Sequence, residues 1–151
     1  MTDKPEETRV VKDTWDLTLY KWHLETDGLK LMTDGFKDRK VFGRKCPQCG
    51  TVYLPGNMFC RKCYIDFDEV VEVGTEGELV TYTATLTDIR GNPIEDPRIA
   101  AVVKLDGTDS WMMGEVTGID WRDLKVGMKL KIKWAEETTG AIADIEGFTP
   151  V

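Results

Sequence analysis

Cys46-Pro47-Gln48-Cys49-Gly50, nine further residues from Thr51 to Phe59, then Cys60-Arg61-Lys62-Cys63: this stretch holds all four cysteines of a 151-residue chain. Each Cys-x-x-Cys pair is short enough for both thiolates to reach one ion, and two such knuckles complete a tetrahedron. Four soft thiolates with no open position predict a structural zinc bound by Cys46, Cys49, Cys60 and Cys63, one ion per chain, that holds the fold and does no chemistry. Two disulfides would need an oxidising compartment, and the N-terminus Met1-Thr2-Asp3-Lys4-Pro5-Glu6-Glu7 has no export signal. The expectation is a cytoplasmic protein with reduced thiols. Iron in a rubredoxin-like centre stays open on the ligands alone, because four thiolates bind it too; colour separates the two metals.

Outward from the knuckles, charge divides the chain. Between Lys37 and Cys63, seven Lys or Arg face one acid, Asp38, a net of +6 inside a protein of net −7. Such a basic knot on an acidic protein suggests a local anion site, or else offsets the negative charge of a tetrathiolate zinc centre. Residues 64–151 carry 8 Lys or Arg against 18 Asp or Glu. A single-stranded nucleic-acid binder, the rival use of a ribbon joined to a barrel, needs a basic face with exposed aromatics, so this balance weighs against it. The longest aliphatic run, Ile99–Val103, is far below the ~20 residues that cross a bilayer.

Before the ribbon, Trp15, Leu19 and Trp22 recur at helical spacing, predicting a helix over about 14–26 that Asp27-Gly28 stops. Its apolar stripe needs a covering surface, either this chain's body or a partner. Leu29 to Arg39 reads as a second short helix or a loop, and Val41–Arg44 as a strand leading into the first knuckle. After Cys63 the pattern is all-β: strands at Gly77–Thr85, Arg98–Leu105 (buried on both faces), Ser110–Val116, Lys129–Trp134 and Ala141–Phe148. Asp88–Pro97 reads as a loop marked by Gly91-Asn92-Pro93, and Asp106–Asp109 as a hairpin turn. Five short strands without a helical crossover suggest a small closed OB-type barrel. The expected fold is mainly β with N-terminal helices: a helical segment over 1–40, a rubredoxin-like four-cysteine ribbon over 41–68 and a five-stranded barrel over 69–151.

Catalytic residues are scarce. With the cysteines committed to metal, one His (His23) and one Ser (Ser110) are left, in separate predicted elements, and no second His exists to build a metal cluster with carboxylates. The chain reads as a module that binds, scaffolds or completes another protein's site.

Helical N-terminus, four-cysteine ribbon and OB barrel, in that order, resemble the rubredoxin-like zinc-ribbon and OB-fold proteins that accompany thiolases. The resemblance is carried by Cys46-Pro47-x-Cys49-Gly50, by Pro55 ahead of Cys60-x-x-Cys63, and by Gly77-Glu78-Leu79-Val80-Thr81-Tyr82-Thr83. Ala101–Gly107 and Leu124–Leu130 extend it. Tyr64, where many ribbons have a small residue, departs from it without touching the ligands. The resemblance implies a non-catalytic small subunit bound to a thiolase-superfamily enzyme, with acyl-CoA as shared ligand and two small and two large subunits in the complex. Some members instead join thiolase to a synthase or support an aldolase. Charge reasoning adds Arg39, Lys40, Arg44 and Lys45 as candidates for the CoA phosphates, and Trp15, Leu19 and Trp22 as a candidate partner contact.

Overall fold

The structure, a computed structural model, describes residues 27–151. The predicted helix over 14–26, with Trp15, Leu19, Trp22 and His23, lies outside the described residues. Among those, the chain runs α1 (Asp27–Phe36), β1 (Val41–Lys45), β2 (Val52–Tyr53), β3 (Val70–Val73), β4 (Glu76–Thr87), β5 (Pro93–Leu105), β6 (Met112–Val116), β7 (Lys129–Trp134) and β8 (Ile145–Pro150), with a short 3-10 turn at Ile142–Asp144.

Asp27-Gly28, expected as a helix stop, lies inside helix α1. Gly28 is helical, and its α-carbon lies hard against the Gly56 carbonyl, where a side chain would not fit; Gly35, two turns on, meets Phe42 and the Lys40 carbonyl at similarly close range. Residues seven apart share one helix face, so these two glycines let α1 lie close on the ribbon. Met32 and Phe36 are buried, and the Phe36 ring meets Trp134 edge-on at 5.5 Å. The helix ends in a Schellman arrangement. Lys40 N–H reaches the Gly35 carbonyl (3.0 Å), Arg39 N–H reaches the Phe36 carbonyl (2.9 Å), and Arg39 takes a left-handed φ of 56°.

Two sheets follow. The ribbon sheet has the order β2-β1-β3, all antiparallel, with Arg44 opposite Tyr53 on one side and Val70 on the other. β3 was not visible in the sequence because four residues with little alternation, Val70-Val71-Glu72-Val73, carry almost no periodic signal. The second sheet is a closed five-stranded barrel in the order β4-β5-β6-β8-β7, with β6 and β8 as its parallel pair. Its interior comes from alternate residues, as in β7, where Leu130 and Ile132 point in and Lys129, Lys131 and Lys133 point out.

Two expectations for β5 fail. The strand is half-buried, with Ile99, Ala101, Val103 and Leu105 inside and their neighbours turned outward, because a barrel has one dry face. It also starts at Pro93, inside the expected loop. β4 and β5, at 12 and 13 residues, are long and not short, and their outer parts pair beyond the barrel wall. The prolines fit because the register shifts between Thr85 and Thr87, and an irregular, exposed strand pair tolerates missing N–H groups.

One continuous core joins the parts. Met32 and Phe36 of α1, Val41, Val52 and Val73 of the ribbon, and Leu79, Val103, Leu105, Leu130 and Phe148 of the barrel belong to the same buried cluster. A second, smaller cluster of Cys46, Tyr53, Cys60 and Phe67 surrounds the cysteines. No helix among the described residues is long and apolar enough to cross a membrane.

Candidate metal centre

The knuckles are built alike. In the first, Gly50 N–H closes onto the Cys46 carbonyl (2.9 Å) and Cys46 N–H onto that of Thr51 (2.9 Å). In the second, Tyr64 N–H closes onto Cys60 (2.8 Å) and Cys60 N–H onto Ile65 (2.9 Å). The residue after each second cysteine is left-handed, Gly50 at φ 72° and Tyr64 at φ 57°. Each turn thereby aims both of its sulfurs to one side. Tyr64, the departure noted in the sequence, adopts a conformation that costs a non-glycine residue about 1–2 kcal/mol.

The four Sγ atoms lie within 4.8 Å of one another. Zinc–sulfur bonds of about 2.3 Å at tetrahedral angles set sulfurs roughly 3.8 Å apart, and Cys49 and Cys60 are at 3.6 Å. That separation fits a shared ion and is far beyond a disulfide bond; all four cysteines are free. Cys46 and Cys60 are buried, Cys63 half-buried and Cys49 exposed.

Around the sulfurs stand groups that the spacing of the cysteines did not reveal. The Tyr53 hydroxyl lies 3.4 Å from Cys60 Sγ. Thr51 Oγ1 lies 3.2 Å from Cys49 Sγ and accepts a hydrogen bond from Lys62 Nζ (2.9 Å). As free thiols the four differ. The Tyr53 hydroxyl, helped against burial by the Cys63 and Lys62 backbone N–H groups, pulls Cys60 down to about 6. Thr51 holds Cys49 below the usual thiol value, whereas burial and then the neighbouring thiols push Cys63 up to about 12. An incoming metal must expel the proton from Cys63, so affinity weakens as pH falls.

The basic cluster divides on inspection. Arg39 donates through Nη2 to the carbonyls of Ala135 (3.3 Å) and Glu136 (3.1 Å), and Lys40 pairs with Glu72 (2.9 Å). Arg44 is buried, with Nε and Nη1 lacking a partner among the described residues. Lys45 is exposed at the end of β1. Ser110 serves the fold, since its Oγ accepts Leu54 N–H at 2.9 Å. It belongs to a clamp that fastens barrel to ribbon: Asp109 exchanges bonds with the Val52 backbone in both directions (2.9 Å each), and Thr108 Oγ1 donates to the Val52 carbonyl (3.2 Å).

Comparison with known proteins agrees with this architecture. Residues 33–68 match the rubredoxin-like zinc ribbon domain of ChsH2, and residues 70–135 match the C-terminal OB-fold domain of ChsH2. The chain belongs to the family that these two domains define. A curated relative, a DUF35 domain-containing scaffold protein of Methanocaldococcus jannaschii, is 25% identical over 93 residues; the match covers 60% of this chain and 64% of that protein. A crystal structure of a DUF35-family protein of unknown function from Sulfolobus solfataricus superposes with a TM-score of 0.62 at 26% identity, over 70% of this chain and 77% of that one. A chain of the Ltp2–ChsH2(DUF35) aldolase superposes with a TM-score of 0.60 at 23% identity, over 86% of this chain and 98% of that one, a likeness of fold.

Proposed function

We propose that this protein is a non-catalytic accessory subunit of a thiolase-superfamily enzyme that acts on an acyl-CoA, scaffolding the catalytic subunit. The observation that carries the reading is the commitment of the chemistry-bearing residues. All four cysteines converge on one closed ligand set, and the single serine caps a ribbon N–H. The kinship with a scaffold protein and with the ChsH2 partner of an aldolase supports a role beside another enzyme. Zinc at Cys46, Cys49, Cys60 and Cys63 holds the ribbon in this reading, and the partner contact is drawn from Trp15, Leu19 and Trp22. Of the four basic candidates for CoA phosphates, Arg39 and Lys40 already have protein partners and Arg44 is buried, which leaves the exposed Lys45 to carry that role. The assembly has two small and two large subunits, and the substrate is an aryl-substituted acyl-CoA such as 2-benzoylsuccinyl-CoA, from anaerobic toluene breakdown.

The test is reconstitution with a thiolase-type large subunit. Thiolytic activity should require both chains, and Trp15→Ala with Trp22→Ala should separate them while zinc content stays intact. Lys45→Glu should raise KM for CoA, more so at low salt, without separating the chains. Thiolytic turnover by the small chain alone would refute the reading.

A further inference from the structure

Thr51 is 5% exposed, and its hydroxyl stands between Lys62 Nζ at 2.9 Å and Cys49 Sγ at 3.2 Å. In the metal-free chain the Cys49 thiol donates to Thr51 Oγ1, which also accepts from the Lys62 ammonium; once a metal takes the place of the thiol proton, the Thr51 hydroxyl proton is the one left to turn to the sulfur. With Cys49 a metal-bound thiolate, Lys62 N–H to Thr51 Oγ1 and Thr51 O–H to Cys49 Sγ form one continuous chain of donors ending on the ligand. Lys62 sits between the two cysteines of the second knuckle, so one knuckle supplies the cation for a ligand of the other. Across the cluster the buried Tyr53 hydroxyl faces Cys60 Sγ at 3.4 Å, and a phenol beside a metal-bound thiolate donates.

We infer that Lys62, acting through the Thr51 hydroxyl, and Tyr53, acting directly, are positioning residues of the metal centre: an outer shell that orients Cys49 and Cys60 and offsets the negative charge of four thiolates on a divalent ion. The inference rests on the zinc reading above. It gives one part of the basic cluster a local use, independent of any CoA contact. It also accounts for an exposed cysteine among the ligands, since a thiolate that already accepts a hydrogen bond is a weaker nucleophile and a better-held ligand.

The full chain loaded with cobalt tests it, because sulfur-to-cobalt charge transfer reports electron density on each ligand. Lys62→Met, Thr51→Val and Tyr53→Phe should each move that band to longer wavelength and speed metal loss to EDTA about 10-fold or more. Thr51→Ser, which keeps the hydroxyl, should behave as the native chain. Combining Thr51→Val with Lys62→Met should add little to either alone, because the two act in series, whereas Tyr53→Phe should add to both. Lys40→Met, which breaks a pair remote from the sulfurs, should change neither readout. Lys62 is exposed, so Lys62→Met carries the test should a Thr51 variant fold poorly. Native band positions and native release rates in Lys62→Met and Tyr53→Phe would overturn the inference, as would independent, additive effects of Lys62 and Thr51. Failure of the native chain to give a tetrathiolate cobalt spectrum would instead remove the zinc reading itself.

Discussion

Gly50 and Tyr64 hold equivalent positions, and both are left-handed, so substitutions at the two should have opposite signs. An added Cβ at Gly50 meets nothing within 4 Å. Gly50→Ala should therefore cost about 1 kcal/mol from backbone conformation alone, whereas Tyr64→Gly should be neutral or stabilising despite losing the edge contact with Phe59. Chemical denaturation of the zinc-loaded chain reads both. In the connection between β7 and β8, Asp144 is buried, and burial raises its pKa, but the N–H groups of Thr139, Gly140 and Ala141 and the Thr139 hydroxyl outweigh that and hold the carboxyl below its usual value. A depressed folded-state pKa means stability that is present above the unfolded value of about 4 and lost as pH falls through the folded one. Asp144→Asn should lower Tm at pH 7, and its gap from the native chain should close below about pH 4. A gap constant from pH 7 to 3 would contradict the assignment. Such residue-scale features were hard to read in advance. The ligand spacing showed Cys46, Cys49, Cys60 and Cys63 because two knuckles have a fixed chemical reach. Thr51, Tyr53 and Lys62 act through side-chain distances that no spacing encodes.

The elements divide by the same logic. β7 was legible because Lys129-Leu130-Lys131-Ile132-Lys133-Trp134 alternates inside and outside, and β4 because it is rich in β-branched residues. Asp27-Gly28 is helical where a stop was expected, because Gly28 reads locally as a helix breaker while its place is set by the Gly56 backbone packed against it. The loop expected at 88–97 was half strand, because pairing with Thr87 overrides the local preference of Pro93. Arg39 ties α1 to the barrel, and its two roles can be separated. Arg39→Ala should lose about 1–2 kcal/mol with the bonds to Ala135 and Glu136, and Arg39→Gly should recover part of that loss because φ 56° suits glycine. Phe36→Ala, which empties a fully buried position against Trp134, should cost about 3–5 kcal/mol and loosen helix and barrel together. Thermal unfolding of the three variants checks these values.

At the scale of the whole molecule, the shared core and the Thr108–Ser110 clamp make ribbon and barrel one body, with the metal cluster on its own small core. Cys49→Ser should lower zinc content and melt the ribbon, while the barrel, whose closure needs no metal, keeps its β-sheet circular dichroism. Stoichiometric iron in the native chain, or full zinc content in Cys49→Ser, would contradict the metal assignment. The central claim, that this body exists to support another enzyme, is tested most directly by native mass spectrometry of the chain isolated at its natural abundance. The account predicts a stoichiometric complex, two copies of this chain with two of a thiolase-superfamily subunit, and one zinc per small chain. The zinc-loaded chain found alone, or bound to single-stranded nucleic acid in place of an enzyme, would contradict it.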